Sequence, residues 1–128
     1  MFWSPNGAVP PDTITSIGMD WWPGAEYVDI VGMDNYPQQE QTFADAFGEF
    51  YDTYSKPNNL PFALGETGWL NGGTDDQKRY WLGQVSSADA LARCPNYLGF
   101  SWFQYDKPSE GDFRVVEGSS NIAAGVLA

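Results

Sequence analysis

Carboxylates are the most numerous side chains in this sequence that could carry acid/base or nucleophilic chemistry. The 128 residues hold 17 Asp and Glu, no histidine and one cysteine. Without histidine there is no Ser-His-Asp or Cys-His relay and no imidazole ligand, which excludes nucleophilic triads and the usual zinc sites. No metal site and no cofactor are expected, and acid/base work falls to carboxylates. Glu66 is the glutamate best placed for it. It follows an apolar run, Leu60 to Gly65, and precedes Thr67-Gly68, a strand end where a carboxylate can be aimed. Residue types alone leave a solvated loop glutamate equally open. Glu26, Glu40 and Glu49 belong to helices or their approaches, and Glu110 and Glu117 lie late in the chain with no motif around them.

Composition narrows the ligand. Lys and Arg total six, and the net charge is −11, so a phosphate backbone or an anionic membrane would be repelled and a neutral ligand fits better. Six Trp, seven Tyr and eight Phe are more rings than a core of this size asks for. Flat apolar rings stack on the apolar faces of sugars, although a ring-rich core accounts for many of the Phe. The single cysteine, Cys94, forms no internal disulfide. No apolar run approaches the ~20 residues of a membrane span, and the first residues lack a basic-then-apolar leader. The expectation is a soluble chain with no export signal.

Four strand-like runs must position these residues. They are Met1 to Ser4, Tyr27 to Asp34, Leu60 to Gly65 and Tyr97 to Phe103. Between them the spacing predicts an amphipathic helix over Thr42 to Ser55, with Phe43, Phe47, Phe50, Tyr51 and Tyr54 on one face. A second helix is predicted from Asp75 to before Pro95, burying Trp81, Val85, Ala88 and Leu91, with its acidic start suited to the helix dipole. Ile122 to Leu127 is a last short helix. Apolar strands alternating with helices imply a parallel α/β sheet. Polar and aromatic residues gather at the strand ends: Trp3-Ser4, Asp34 to Tyr36, Glu66 to Trp69 and Trp102 to Tyr105. That end carries the chemistry in a (β/α)8 barrel, which takes ~250 residues.

Phe2-Trp3-Ser4-Pro5-Asn6, Trp22 through Tyr36, Ala63-Leu64-Gly65-Glu66-Thr67-Gly68 and Phe100-Ser101-Trp102-Phe103, in this order, resemble the second half of family 26 glycoside hydrolases. Those enzymes are mostly β-mannanases, with some acting on other β-glycans, in the clan of retaining (β/α)8 glycosidases. The resemblance implies a partial TIM barrel, about strands five to eight with their helices. Residues 1–128 would then be the C-terminal half of a catalytic barrel from an extracellular parent. It implies Glu66 as the catalytic nucleophile, Tyr36 as a hydrogen-bond donor that helps keep it ionised, and Asp34 as an acidic partner in the same network. Asp34 and Tyr36 are also ordinary turn-forming types at a strand end. Trp102 would be the floor beneath the sugar, Trp69 would line a neighbouring subsite, and Trp3 would line the site or pack the barrel. Trp21 and Trp22 could cap the barrel wall.

Two departures matter. Many mannanases of the family carry a basic residue after the strand-eight tryptophan, where this chain has Phe103, which bears on mannan specificity. The family's acid/base glutamate ends strand four and has no counterpart among the other five glutamates, so the isolated chain is expected to be inactive. The partner implied is a neutral β-linked polysaccharide or oligosaccharide. The alternatives are a non-catalytic half-barrel that binds glycans, self-associating through open sheet edges, and a β-glucanase or galactanase of the same clan.

Overall fold

The computed structural model describes residues 1–7, 21–116 and 121–127. Its frame is one parallel sheet whose strands neighbour each other in chain order: β1 (Phe2–Trp3), β2 (Ile30–Asn35), β3 (Phe62–Thr67) and β4 (Tyr97–Trp102). Trp3 pairs with Val31, Val31 with Phe62, and Phe62 with Tyr97. The expected parallel α/β arrangement is the one observed. β2 starts at Ile30 rather than Tyr27, because Ala25–Tyr27 form a 3-10 turn that follows Gly24 at φ 101°.

Helices cover one face of the sheet. α1 (Phe43–Phe50) starts at Thr42, whose hydroxyl accepts from the Asp45 N–H at 3.1 Å while the Asp45 carboxylate takes the Thr42 N–H at 3.3 Å, a reciprocal cap that satisfies two end groups. The chain then widens into a π-helical stretch, Tyr51–Ser55, which keeps Tyr51 and Tyr54 in the core, and closes with a 3-10 turn over Lys56–Asn58. Phe62 lies among Phe47, Tyr51 and Tyr97, with ring centroids 5.8–6.1 Å apart.

The second predicted helix is broken in two, α2 (Asp75–Val85) and α3 (Ala88–Arg93). Two serines break it. The Ser86 hydroxyl donates to the Leu82 carbonyl at 2.7 Å, and Ser87 caps α3 by accepting from the Ala90 N–H at 3.1 Å, a use of serine that competes with continuous helix. Rotating α3 relative to α2 leaves Leu91 53% exposed and buries Ala90 in its place. α4 (Ile122–Leu127) ends the chain as expected. No helix among the described residues is long and apolar enough to cross a membrane.

A two-stranded antiparallel hairpin, β5 (Asp106–Lys107) with β6 (Gly111–Asp112), follows β4 and was not anticipated. Its strands are short and charged, with none of the apolar alternation that marks a strand in sequence.

Trp81 joins the sheet to α2. Its side chain is fully buried, and its indole N–H donates to the Thr67 hydroxyl at 2.8 Å. Trp81→Ala should lower unfolding stability by roughly 3–5 kcal/mol, read from urea denaturation; a loss under about 1 kcal/mol would contradict this packing.

Candidate active site

β2 and β3 fall out of simple register where the site begins. Met33 pairs with Leu64, but Asp34 pairs with Glu66 and Asn35 with Thr67, so Gly65 is an extra residue in β3. In an unbroken strand Leu64 and Glu66 would share a face, and Leu64 is buried against the helices. The added residue turns Glu66 to the opposite, open face. Bulges beside functional sites re-aim side chains in this way. Thr67 stays on the helix side, donating to the Asn35 carbonyl at 2.7 Å and accepting from Trp81. Any larger residue at 65 would crowd the Ser4–Asp34 pair. A β-carbon there would lie 2.4 Å from the Ser4 Oγ and 2.6 Å from the Asp34 Oδ1.

Four side chains meet at this point. The Ser4 hydroxyl donates to Asp34 Oδ1 at 2.6 Å, and the Tyr36 hydroxyl donates to Glu66 Oε1. Ser4 is held in reach because the segment after β1 bonds along β2: Gly7 N–H to the Asp34 carbonyl at 2.6 Å, and Asp34 N–H to the Pro5 carbonyl at 3.0 Å. Burial pushes the Asp34 carboxyl above its ordinary range. The Ser4 hydrogen bond works against that shift, the Glu66 charge adds to it, and a hydrogen bond from the Glu66 backbone N–H opposes it again. The Tyr36 phenol is driven far above its usual value by burial, then by its bond to Glu66 and by the charges of Glu66, Asp34 and Glu110. Tyr36 therefore stays protonated and acts as a donor to Glu66.

The Glu66 carboxylate opens into a pocket lined by Tyr36, Leu70, Phe103, Lys107, Glu110 and Phe113. Phe103 and Phe113 pack edge to face at 5.1 Å, and each meets the Tyr36 ring at 6.3 and 5.8 Å. A carboxylate beside rings can hold a polar group while the rings cover an apolar face. Among the described residues no cluster of His, Cys, Asp and Glu could hold a metal ion.

Of the residues expected at the site, Glu66, Tyr36 and Asp34 come together. The three tryptophans do not join them. Trp3 is turned to the helix side, against Trp22 at 4.7 Å, Tyr54 at 5.1 Å and Phe50 at 5.6 Å. Trp69 is buried in the core with Gly73 against its ring. Trp102 pairs with the helix-facing Thr67, packs on the core and donates its indole N–H to the Phe113 carbonyl at 2.8 Å. Strand alternation puts the next residue, Phe103, at the pocket instead. Trp69 thus sits in the core, while Trp102 and Trp3 are partly buried at its edge. Trp22 closes the Trp3 cluster, while Trp21 is exposed.

Lys107, Glu110 and Phe113 reach the pocket through the β5–β6 hairpin, which sequence reasoning missed. The turn types Pro108-Ser109 between charged residues were the available signal. The hairpin is fastened at its base, where Arg114 Nε donates to Asp112 Oδ1 at 2.8 Å and the guanidinium also lies 3.4 Å from Asp106. The Arg114 hydrogen bonds hold the Asp112 carboxyl down at about 2.

Comparison with known proteins follows this geometry. The model of glycosyl hydrolase family 26 matches residues 3–83. A search of curated proteins found no match. Among solved structures, the chain is similar to the catalytic domain of the family 26 endo-beta-1,4-mannanase of Bacillus sp. JAMB-750, at a TM-score of 0.58 and 22% identity. That likeness covers 92% of this chain and 33% of the other, so the chain spans about a third of the length of the structure it matches. The fold is thus part of a (β/α)8 barrel.

Gly65→Ala should push the Ser4–Asp34 pair apart and cost about 1–3 kcal/mol, seen as a lowered urea midpoint; unchanged stability would contradict the bulge packing. Asp112 is depressed below its ordinary 3.8, so its bond to Arg114 stabilises the fold above that pH and is lost as pH falls toward about 2. The melting-temperature gap between wild type and Asp112→Asn should close over that interval, and a constant gap would refute the coupling.

Proposed function

The chain belongs to glycosyl hydrolase family 26, and from that membership we propose that it is part of a retaining endo-β-glycanase that cuts β-mannan or a related neutral β-linked polysaccharide. Glu66 is its nucleophile. The observation that carries this reading is the Tyr36 hydroxyl bonded to Glu66 Oε1 at the carboxyl end of a parallel barrel strand, beside aromatic rings. A carboxylate oxygen of Glu66 bonds to the anomeric carbon as the glycosidic C–O bond breaks, and the leaving oxygen takes a proton from a second carboxylic acid. Water then attacks the glycosyl ester, giving its proton to that second group, and Glu66 departs as carboxylate.

The second carboxyl group belongs about 5 to 5.5 Å from the nucleophile, and the described residues do not offer a suitable one. Asp34 is engaged by Ser4 and by the Glu66 backbone, and Glu110 is ion-paired to Lys107. The acid/base group comes from another part of the barrel, and the 128-residue chain is the C-terminal half of that catalytic domain. The whole enzyme acts outside the cell, where its polymeric substrate is. The residue after Trp102 is Phe103 rather than a basic one, and it lines the pocket, which leaves β-glucan or galactan as substrates beside the mannan that the Bacillus relative's name specifies.

A second reading rests on one observation. Phe2 and Leu98, on the face of the sheet away from the helices, are 47% and 66% exposed, and β1 and β4 are the sheet's edges. A half-barrel that binds glycans without cutting them, pairing with a second copy, would cover them. Light scattering decides: a dimer favours this reading and a clean monomer removes it.

The isolated chain should show no steady hydrolysis of mannan or β-glucan, measured by reducing-end release; sustained release would contradict the missing proton donor. In the longer enzyme, Glu66→Ala should reduce hydrolysis to background with an unchanged melting temperature. Wild-type turnover by that variant would refute the assignment.

A further inference from the structure

Among the described residues, the other charged side chains that line the Glu66 pocket are Lys107 and Glu110, both placed by the β5–β6 hairpin. They flank the Pro108-Ser109 turn, closed by the Glu110 N–H to the Lys107 carbonyl at 2.8 Å, and their side chains form an ion pair. Both remain accessible, at 42% and 49% exposure. The hairpin carrying them is seated without slack on the loop that follows Glu66. A β-carbon at Gly111 would lie 2.2 Å from the Asn71 carbonyl oxygen, and one at Gly72 would lie 2.6 Å from the Asp112 carbonyl oxygen. Backbone meets backbone at both places, so the hairpin that bears the pair is fixed against the loop after Glu66.

The rest of the pocket explains what such a pair is for. Phe103, Phe113 and Leu70 can cover the C–H face of a pyranose but offer nothing to its hydroxyls. An ammonium has three donor hydrogens and a carboxylate has several acceptor sites, and one mutual ion pair leaves most of them available. A joined donor and acceptor match neighbouring hydroxyls, each of which both gives and takes a hydrogen bond. The pair also has no net charge, so it adds no attraction for an acidic sugar, which would meet the negative charge of Glu66 alone.

We propose that Lys107 and Glu110 form the hydroxyl-binding, specificity-determining edge of this pocket, gripping the pyranose next to the one over Glu66 and selecting uncharged chains over uronates. This rests on the reading of Glu66 as a sugar-contacting carboxylate. Titration calorimetry of the 128-residue chain with mannohexaose, cellohexaose and hexagalacturonate tests it. Lys107→Met and Glu110→Gln should each weaken binding of the neutral ligand by about tenfold, the loss expected for a hydrogen bond to a charged group, without lowering the melting temperature. Glu110→Gln leaves Lys107 uncompensated, so it should also bind the uronate more tightly than wild type does, a gain that a merely structural ion pair would not produce. Unchanged neutral affinity in both variants overturns the inference and leaves the Glu66 reading standing. Equal losses for neutral and acidic ligands in Glu110→Gln also overturn it. If the wild-type chain binds neither neutral hexaose, both fall.

Discussion

Leu64 and Glu66 lie two apart in β3, where strand alternation would put them on one face, yet they have to face opposite ways, and the arrangement of the site follows from how that is met. Thr67 is held on the helix side by the buried indole of Trp81, and Glu66 must reach the open side to meet Tyr36. One extra residue in the strand lets both hold without breaking the pairing to β2. Glycine suits that position, because the Ser4–Asp34 hydrogen bond occupies the space a side chain would need. Core packing, strand register and the aim of one carboxylate are thus a single constraint.

The same sheet separates two populations of aromatic rings. On the helix side Phe47, Phe62, Tyr97, Trp81 and the Trp3 cluster bury apolar area and set the strands' positions. On the other side, at the strand ends, Tyr36, Phe103 and Phe113 surround a carboxylate. The first group is what keeps the second in place. Phe113 joins them, because its ring lines the pocket while its carbonyl accepts from Trp102 on the core side. Electrostatics add to the division: burial and negative neighbours keep Tyr36 protonated, so its hydroxyl remains a donor to Glu66.

The strand and helix order was legible in the sequence because apolar runs and three-to-four spacings are local signals. So was the grouping of Asp34, Tyr36 and Glu66, since each sits where an apolar strand runs out. The packing of the tryptophans was not legible, because a strand's period tells which residues alternate, not which alternate faces the core. Trp102 and Phe103 are neighbours with different surroundings, the first bonded to the Phe113 carbonyl and the second at the pocket, and only tertiary packing decides that. The broken helix at Ser86-Ser87 turned on capping that competes with an otherwise continuous pattern. The hairpin bearing Lys107 and Glu110 is held by ion pairs and glycine contacts to a distant loop, which no short-range pattern encodes. The bulge at Gly65 was equally hidden, because it exists only in the register between two strands.

The central claim is that Glu66 attacks an anomeric carbon. A 2-deoxy-2-fluoro glycoside with a dinitrophenyl leaving group tests it most directly, because so good a leaving group departs without a proton and the fluorine slows release of the ester. Incubating the 128-residue chain with mannosyl and glucosyl versions, followed by proteolysis and mass spectrometry, should reveal one glycosyl adduct, on Glu66. An adduct on another carboxylate, or none with either sugar, would contradict the account.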